Sequence, residues 1–138
     1  MKLELTKNEY RRLLDLVYAG NWVLNSIYDE ETRIADFDDV ESKVFSYAKA
    51  AGFPRHSELD DDGVTVLPSD AYIQGGIQDA IREYEDTVFY EILAEELARR
   101  DMNFAPISNA NVDELAERID SYIDEFEENG IRNIGVVK

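Results

Sequence analysis

Cysteine is absent from all 138 residues of the chain. Its absence excludes disulfides, thiolate nucleophiles, cysteine-based zinc sites and iron–sulfur clusters. Histidine occurs once, at His56, so metal sites that need two histidines are excluded as well. Long apolar runs are also missing. The longest charge-free stretch, residues 16–28, is too short and too polar to span a membrane. No apolar segment follows the first lysines, so we expect no signal peptide.

Basic residues are scarce. The chain has 14 lysines and arginines against 31 acids, which gives a formal net charge of -17 at pH 7. This balance disfavours direct binding to nucleic-acid phosphates and docking on an anionic membrane. The hydrophobic fraction of 44% is still large enough for a packed core. We therefore expect a cytoplasmic protein with a single helical domain spanning residues 1–138.

Hydrophobic periodicity predicts a mainly α fold, an irregular bundle of four or five helices with at most a small two-stranded β element. Thr6 and Glu9 have capping-box spacing at the start of the first helix. We expect the second helix to begin at Asp38 and a new helix to begin at Asp86 or Thr87. The core is predicted to bury six large side chains: Trp22, Leu24, Ile92, Leu93, Ile119 and Phe126.

Two short segments have strand composition. Residues 64–67 follow an acidic turn that ends at Gly63, and residues 131–137 follow the last predicted helix. We expect these two segments to pair with each other.

Three segments resemble parts of small acidic helical bacterial proteins of unknown function. They are NEYRRLLDL at residues 8–16, WVLNS at 22–26 and LARRD at 97–101. The resemblance covers most of the chain. It implies a bacterial protein, and it implies neither a catalytic residue nor a ligand.

Two acidic loops are candidates for weak divalent-ion binding. Residues 58–63 match the start of an EF-hand loop, but Ser69 occupies the twelfth position, where a bidentate glutamate is required. Residues 36–41 group three aspartates with Glu41, but the preference of helix N-termini for acids explains that cluster without a metal. We predict no metal and no cofactor, although the sequence leaves weak binding by either loop open.

Three polar residues lie on predicted apolar stripes: Asn21, Glu96 and Arg100. We expect all three to be buried, with Asn21 hydrogen-bonded and Glu96 paired with Arg100 four residues later. The alternative is a polar site inside the bundle, formed by Asn21 and Glu96 together with Tyr90.

The last predicted helix has an acidic face opposite its apolar stripe. At 100° per residue this face collects Asp113, Glu117, Asp120, Asp124, Glu127 and Glu128. We expect a non-enzymatic protein-interaction or regulatory module that binds a basic protein partner through this face. One alternative is a small enzyme or ligand-binding protein with its site inside the bundle. A second is a DNA mimic whose carboxylates imitate phosphates. A homo-oligomer is compatible with each of these functions.

Overall fold

The computed structural model describes residues 2–137. It is 59% helical, with four helices and a small antiparallel sheet of two strands, which confirms the predicted mainly α fold. A three-residue helical turn, α3, and a π-helical segment precede the third long helix. In chain order the elements are α1 Lys7–Asn25, α2 Ala35–Phe45, β1 Ser57–Leu59, β2 Val66–Pro68, α3 Asp70–Tyr72, the π-helical segment Ile73–Ile77, α4 Gln78–Asp101 and α5 Val112–Asn129.

The chain divides into two compact units, Met1–Ile81 and Arg82–Lys138. The boundary between them falls inside α4. The expectation of one domain over residues 1–138 stays a prediction.

The capping box at the start of α1 is confirmed. The Thr6 hydroxyl accepts a hydrogen bond from the Glu9 amide at 3.3 Å, and the Glu9 carboxylate accepts one from the Thr6 amide at 2.7 Å. These bonds hold the pKa of Glu9 below its ordinary value, with the backbone bond from Thr6 as the largest cause. They satisfy amides that the first turn of a helix leaves without partners.

The predicted start of α2 at Asp38 is wrong, because the helix begins at Ala35. The side chain of Asn25 explains the earlier start. It accepts a hydrogen bond from the Ile34 amide at 2.9 Å and donates one to the Ile34 carbonyl at 3.1 Å. The residue before the helix is thus fixed from α1, and Asp38 instead accepts two hydrogen bonds from Arg33.

The predicted pairing of residues 131–137 with residues 64–67 is also wrong. β2 pairs with β1 in an antiparallel register that sets Ser57 opposite Pro68, and residues 131–137 form no strand. The Asp62 carboxylate closes the intervening turn, accepting hydrogen bonds from the amides of Val64 and Thr65 at 2.7 Å. A strand that lies nearby in sequence is also reached at lower entropic cost than a distant one.

Tyr72 lies at the centre of the core of the first unit. Its ring packs edge-on against Phe45 at 5.0 Å and Tyr18 at 5.6 Å between ring centroids. Its hydroxyl donates a hydrogen bond to the Asp15 carboxylate at 2.9 Å. The wider core includes Tyr10, Leu14, Ala48 and Ile81.

The second unit is a pair of long helices. The predicted cap at Asp86 or Thr87 is wrong, because α4 continues through both residues. Thr87 instead donates its hydroxyl hydrogen to the Glu83 carbonyl at 2.9 Å, as a threonine inside a helix can. α5 ends at Asn129, and Gly130, where φ is +60°, caps it.

The predicted core is only partly correct. Phe126 is buried, and Trp22, Leu93 and Ile119 are partly buried. Leu24 and Ile92 are 46% and 57% exposed, so their predicted burial is wrong. Helical periodicity identifies an apolar face, but it does not show whether another element covers that face.

We predict that Leu14→Ala lowers the free energy of unfolding by about 2–5 kcal/mol, because Leu14 is fully buried in the core of the first unit. Leu16→Ala is the matched control, since Leu16 lies in the same helix with 72% of its surface exposed. Urea denaturation measures both. Equal losses in the two variants would contradict the packing described here.

Candidate functional site

An open groove of about 680 Å³ runs between α4 and α5 in the second unit. Its floor is apolar and is formed by Tyr90, Ile119, Ile123 and Phe126. Its rim is polar and mainly acidic, and is formed by Thr87, Glu91, Glu95 and Glu127. We call this feature the helix-pair groove.

Aromatic packing holds the two walls of the groove together. The rings of Tyr90 on α4 and Phe126 on α5 lie 5.5 Å apart between centroids. The ring of Tyr122, one turn earlier on α5, stacks on Phe126 at 6.0 Å. Aromatic pairs of this kind stabilise a protein by more than the burial of their apolar area alone would.

A polar contact joins the other end of the helix pair. The Tyr122 hydroxyl donates to the Asp101 carboxylate at 2.5 Å, and Arg100 donates to the same carboxylate at 2.8 Å. The hydrogen bond from Tyr122 is the largest cause that lowers the pKa of Asp101, and it also raises the pKa of Tyr122. Side-chain contacts therefore connect the two walls of the groove.

Charge around the groove is strongly negative. Residues 82–138 contain 15 acidic and six basic side chains, for a formal net charge of -9. Glu91 and Glu95 lie one helical turn apart on the α4 side of the rim, and both are exposed. Glu95 has Arg99 as an ion-pair partner at 3.6 Å, but exposed pairs of this kind are weak. The rim therefore favours cationic groups.

The six acidic residues predicted as a partner surface are all exposed on α5. Glu127 alone among them lines the helix-pair groove. Glu114 and Arg118, four residues apart on α5, form an ion pair at 2.8 Å. Partner binding by Asp113, Glu117, Asp120, Asp124, Glu127 and Glu128 stays a prediction.

The expectation that Glu96 and Arg100 are buried is wrong, since both are exposed. Glu96 lies beside Phe89 and Ile92 on an exposed face of α4. Arg100 donates to Asp101 and to the Tyr122 hydroxyl. α4 has two apolar faces and α5 covers only one of them, which periodicity within α4 could not show.

A buried polar network connects α1 and α2 in the first unit. Asn21, which is buried, donates to the Asp38 carboxylate at 2.9 Å and accepts from Asn25 at 2.8 Å. Arg33 donates to both oxygens of Asp38, at 2.6 and 2.7 Å. The bond from Arg33 is the largest cause that lowers the pKa of Asp38. The network satisfies its own members and connects the two helices.

Asn25 is fully buried in this network, and the sequence analysis missed it. Its position four residues after Asn21 was the available signal, because that spacing places both side chains on one face of α1.

Glu41 is half-buried next to the same network. Burial raises the pKa of Glu41 to about 6, and the charge of the neighbouring Asp38 carboxylate adds to the increase. Glu41 lines an open cleft between α2 and β2 together with Arg33 and Ser42.

The alternative polar site of Asn21, Glu96 and Tyr90 receives no support from the geometry. Glu96 and Tyr90 line different faces of α4, and Asn21 belongs to the other unit.

The two acidic segments hydrogen-bond to neighbouring residues, and the expectation that residues 36–41 form a loop is wrong, because they lie within α2. In residues 58–63, Asp62 accepts from amides of its own turn, which lowers its pKa, with the hydrogen bond from the Thr65 side chain as the largest cause. In residues 36–41, Asp38 binds Arg33. Within residues 2–137, no three acidic or histidine side chains are arranged to hold a metal ion.

Comparison of the chain with protein-family models, with curated proteins and with solved structures gave no match. Among the described helices, none combines the length and the hydropathy that crossing a membrane requires.

We predict that Glu41→Gln stabilises the protein at neutral pH and has no effect below about pH 4.5. The folded state binds a proton on Glu41 more tightly than the unfolded state, so the stability of the parent falls as the pH rises from 4.5 through 6. Glutamine does not ionise, so the stability of Glu41→Gln does not fall in this way as the pH rises. At pH 8 the free energy of unfolding of Glu41→Gln should exceed that of the parent by about 1 kcal/mol. This value is already reduced for the solvent screening of a half-buried group.

Thermal denaturation between pH 4.5 and 8 measures this difference. Glu30→Gln is the control, because Glu30 is an exposed carboxylate in the turn before α2. An advantage of Glu41→Gln that is independent of pH would contradict the assignment.

Proposed function

We propose that this protein is a protein-interaction module whose helix-pair groove binds a basic amphipathic segment of a partner. The observation that carries the proposal is the combination of an apolar floor with an acidic rim in one groove. A helix or extended segment with apolar side chains on one face and lysine or arginine on the other fits such a groove.

The small core of the second unit supports this proposal. Its buried side chains among residues 82–137 are Ala94, Ala98 and Phe126. Two helices that bury so little leave large apolar side chains accessible, and Ile119 and Ile123 are only partly buried. A partner that covers the floor would gain roughly 25 cal/mol for each square ångström of apolar surface removed from water.

The spacing of the rim acids indicates how a basic partner could be oriented. Glu91 and Glu95 are separated by one turn of α4, so they match cationic side chains spaced four residues apart on a bound helix. Glu127 is the acidic residue on the α5 side of the rim. Charges placed at a rim govern specificity and association rate more than affinity, so the floor would supply most of the binding energy.

The outer acidic face of α5 is the competing surface. Its six carboxylates would attract a basic partner. This face is defined by acidic residues alone, so it lacks the apolar side chains that anchor a partner in a tight interface. The helix-pair groove combines acidic residues that attract a basic partner with apolar side chains that can anchor it. The DNA-mimic alternative stays a prediction.

We predict that a designed helical peptide of about 15 residues, with leucine on one face and lysine on the other, binds the protein at moderate salt. Glu91→Gln combined with Glu95→Gln should weaken binding about ten-fold, because two rim contacts to lysine lose their charge. Asp113→Asn combined with Asp120→Asn removes the same charge from the outer face of α5 and should change binding less than two-fold. Fluorescence anisotropy of the labelled peptide measures both variants.

A peptide with the same composition in scrambled order separates groove binding from simple charge attraction. It keeps the charge but loses its apolar face, so we expect it to bind much more weakly. Equal affinity for the ordered and scrambled peptides, or a larger loss in the outer-face variant than in the rim variant, would refute the proposal.

A further inference from the structure

A short segment after α5 exposes its apolar side chains. We call residues 130–137 the tail segment. Val136 and Val137 are 88% and 98% exposed, and Ile131 and Ile134 are exposed as well. An exposed run of this kind in a folded protein is typical of a surface that another molecule covers.

The charge of the tail segment is opposite to that of the groove. Residues 129–138 contain two basic residues, Arg132 and Lys138, and no acid, although the chain as a whole has a formal net charge of -17. A segment that combines apolar side chains with a cationic one matches the apolar floor and the acidic rim of the helix-pair groove.

The tail segment begins beside Tyr90, since a Cβ at Gly130 would lie 3.7 Å from the Tyr90 hydroxyl, but a hydrogen bond to Glu125 holds Asn133 on another side of α5. Asn133 donates to the Glu125 carboxylate at 2.6 Å, and Asn129 donates to the same oxygen at 3.1 Å. Glu125 lies beside Ser121 and Tyr122 on another side of α5, whereas Ile123 and Glu127 face the groove. A tail segment held in this way leaves its own groove open.

We propose that the helix-pair groove of one copy of this protein binds the tail segment of a second copy. This inference rests on the proposed function and names the partner. Ile131, Ile134, Val136 and Val137 supply apolar side chains for the floor, and Arg132 supplies a cation for the acidic rim. A contact with so few anchoring side chains belongs to the weak, transient class of interfaces.

The net charge of the chain gives this association a distinctive salt dependence. Two molecules of charge -17 repel each other at long range, and at 10 mM salt that repulsion extends about 30 Å. At 150 mM salt the screening length is about 8 Å, so mainly the local contact remains. Self-association should therefore be stronger at 150 mM than at 10 mM salt, whereas binding of a basic peptide should weaken as salt is added.

Sedimentation velocity of the full chain at about 0.1–1 mM and 150 mM salt tests the inference, over the concentration range expected for weak contacts. The parent should form dimers or larger species. The tail variant, Val136→Asp with Val137→Asp, should be monomeric, and its fold should be unaffected because both side chains are exposed. Val64→Asp is the matched control, since Val64 is 81% exposed in the other unit, and it should associate like the parent.

Mixing provides the decisive measurement. A groove variant, Ile123→Asp, keeps its tail segment, and the tail variant keeps its groove. Each should be monomeric alone, and an equal mixture should form dimers, because one intact groove can bind one intact tail segment. Glu127→Arg, at an exposed rim position, replaces Ile123→Asp if circular dichroism shows that the latter is unfolded.

A parent that stays monomeric over the whole concentration range, a tail variant that associates like the parent, or a mixture without dimers would overturn the inference. Such a result leaves the proposed function standing if the basic amphipathic peptide still binds the groove. If the peptide does not bind and the mixture forms no dimers, both the proposed function and the proposed self-association are refuted.

Discussion

The first unit depends on the burial of Tyr72. Its ring contacts aromatic rings from α1 and α2, and the ring of His56, just before the hairpin, lies 5.6 Å away between centroids. Its hydroxyl donates to Asp15, which is also paired with Arg11. Burial is the largest cause that raises the pKa of Tyr72 far above its ordinary value, and the Asp15 carboxylate adds to it. One side chain thereby connects elements that lie far apart in sequence.

The second unit has no comparable centre. Its helices meet through Tyr90, Phe126 and Tyr122, and the other buried side chains are alanines. A helix pair of this kind cannot bury all its apolar surface by itself. The uncovered surface remains as a groove, and the acidic side chains around it favour a cationic partner. The proposed function follows from this incomplete burial.

The sequence predicted those features that neighbouring residues determine. The capping box of Thr6 and Glu9 and the amphipathic pattern of α5 both depend on local spacing. The error at the start of α2 concerns partners outside that helix. Asp38 has the composition of a helix cap, but Arg33 and Asn21 bind its carboxylate.

The groove itself was not predictable for the same reason. Periodicity marked an apolar stripe on α5, but it could not show that Tyr90 of α4 would pack beside Phe126 and leave Ile119 and Ile123 accessible. Ile92 was predicted to be buried because it is apolar and regularly spaced, but no other element covers it and it remains exposed.

The helix-pair groove is the proposed binding surface of this protein. A nuclear magnetic resonance titration of the isotopically labelled full chain with the basic amphipathic peptide tests this proposal. The largest shifts should fall on Tyr90, Ile119, Ile123 and Phe126. Shifts confined to the outer face of α5, around Asp113 and Asp120, or to the polar network around Asn21, would contradict it.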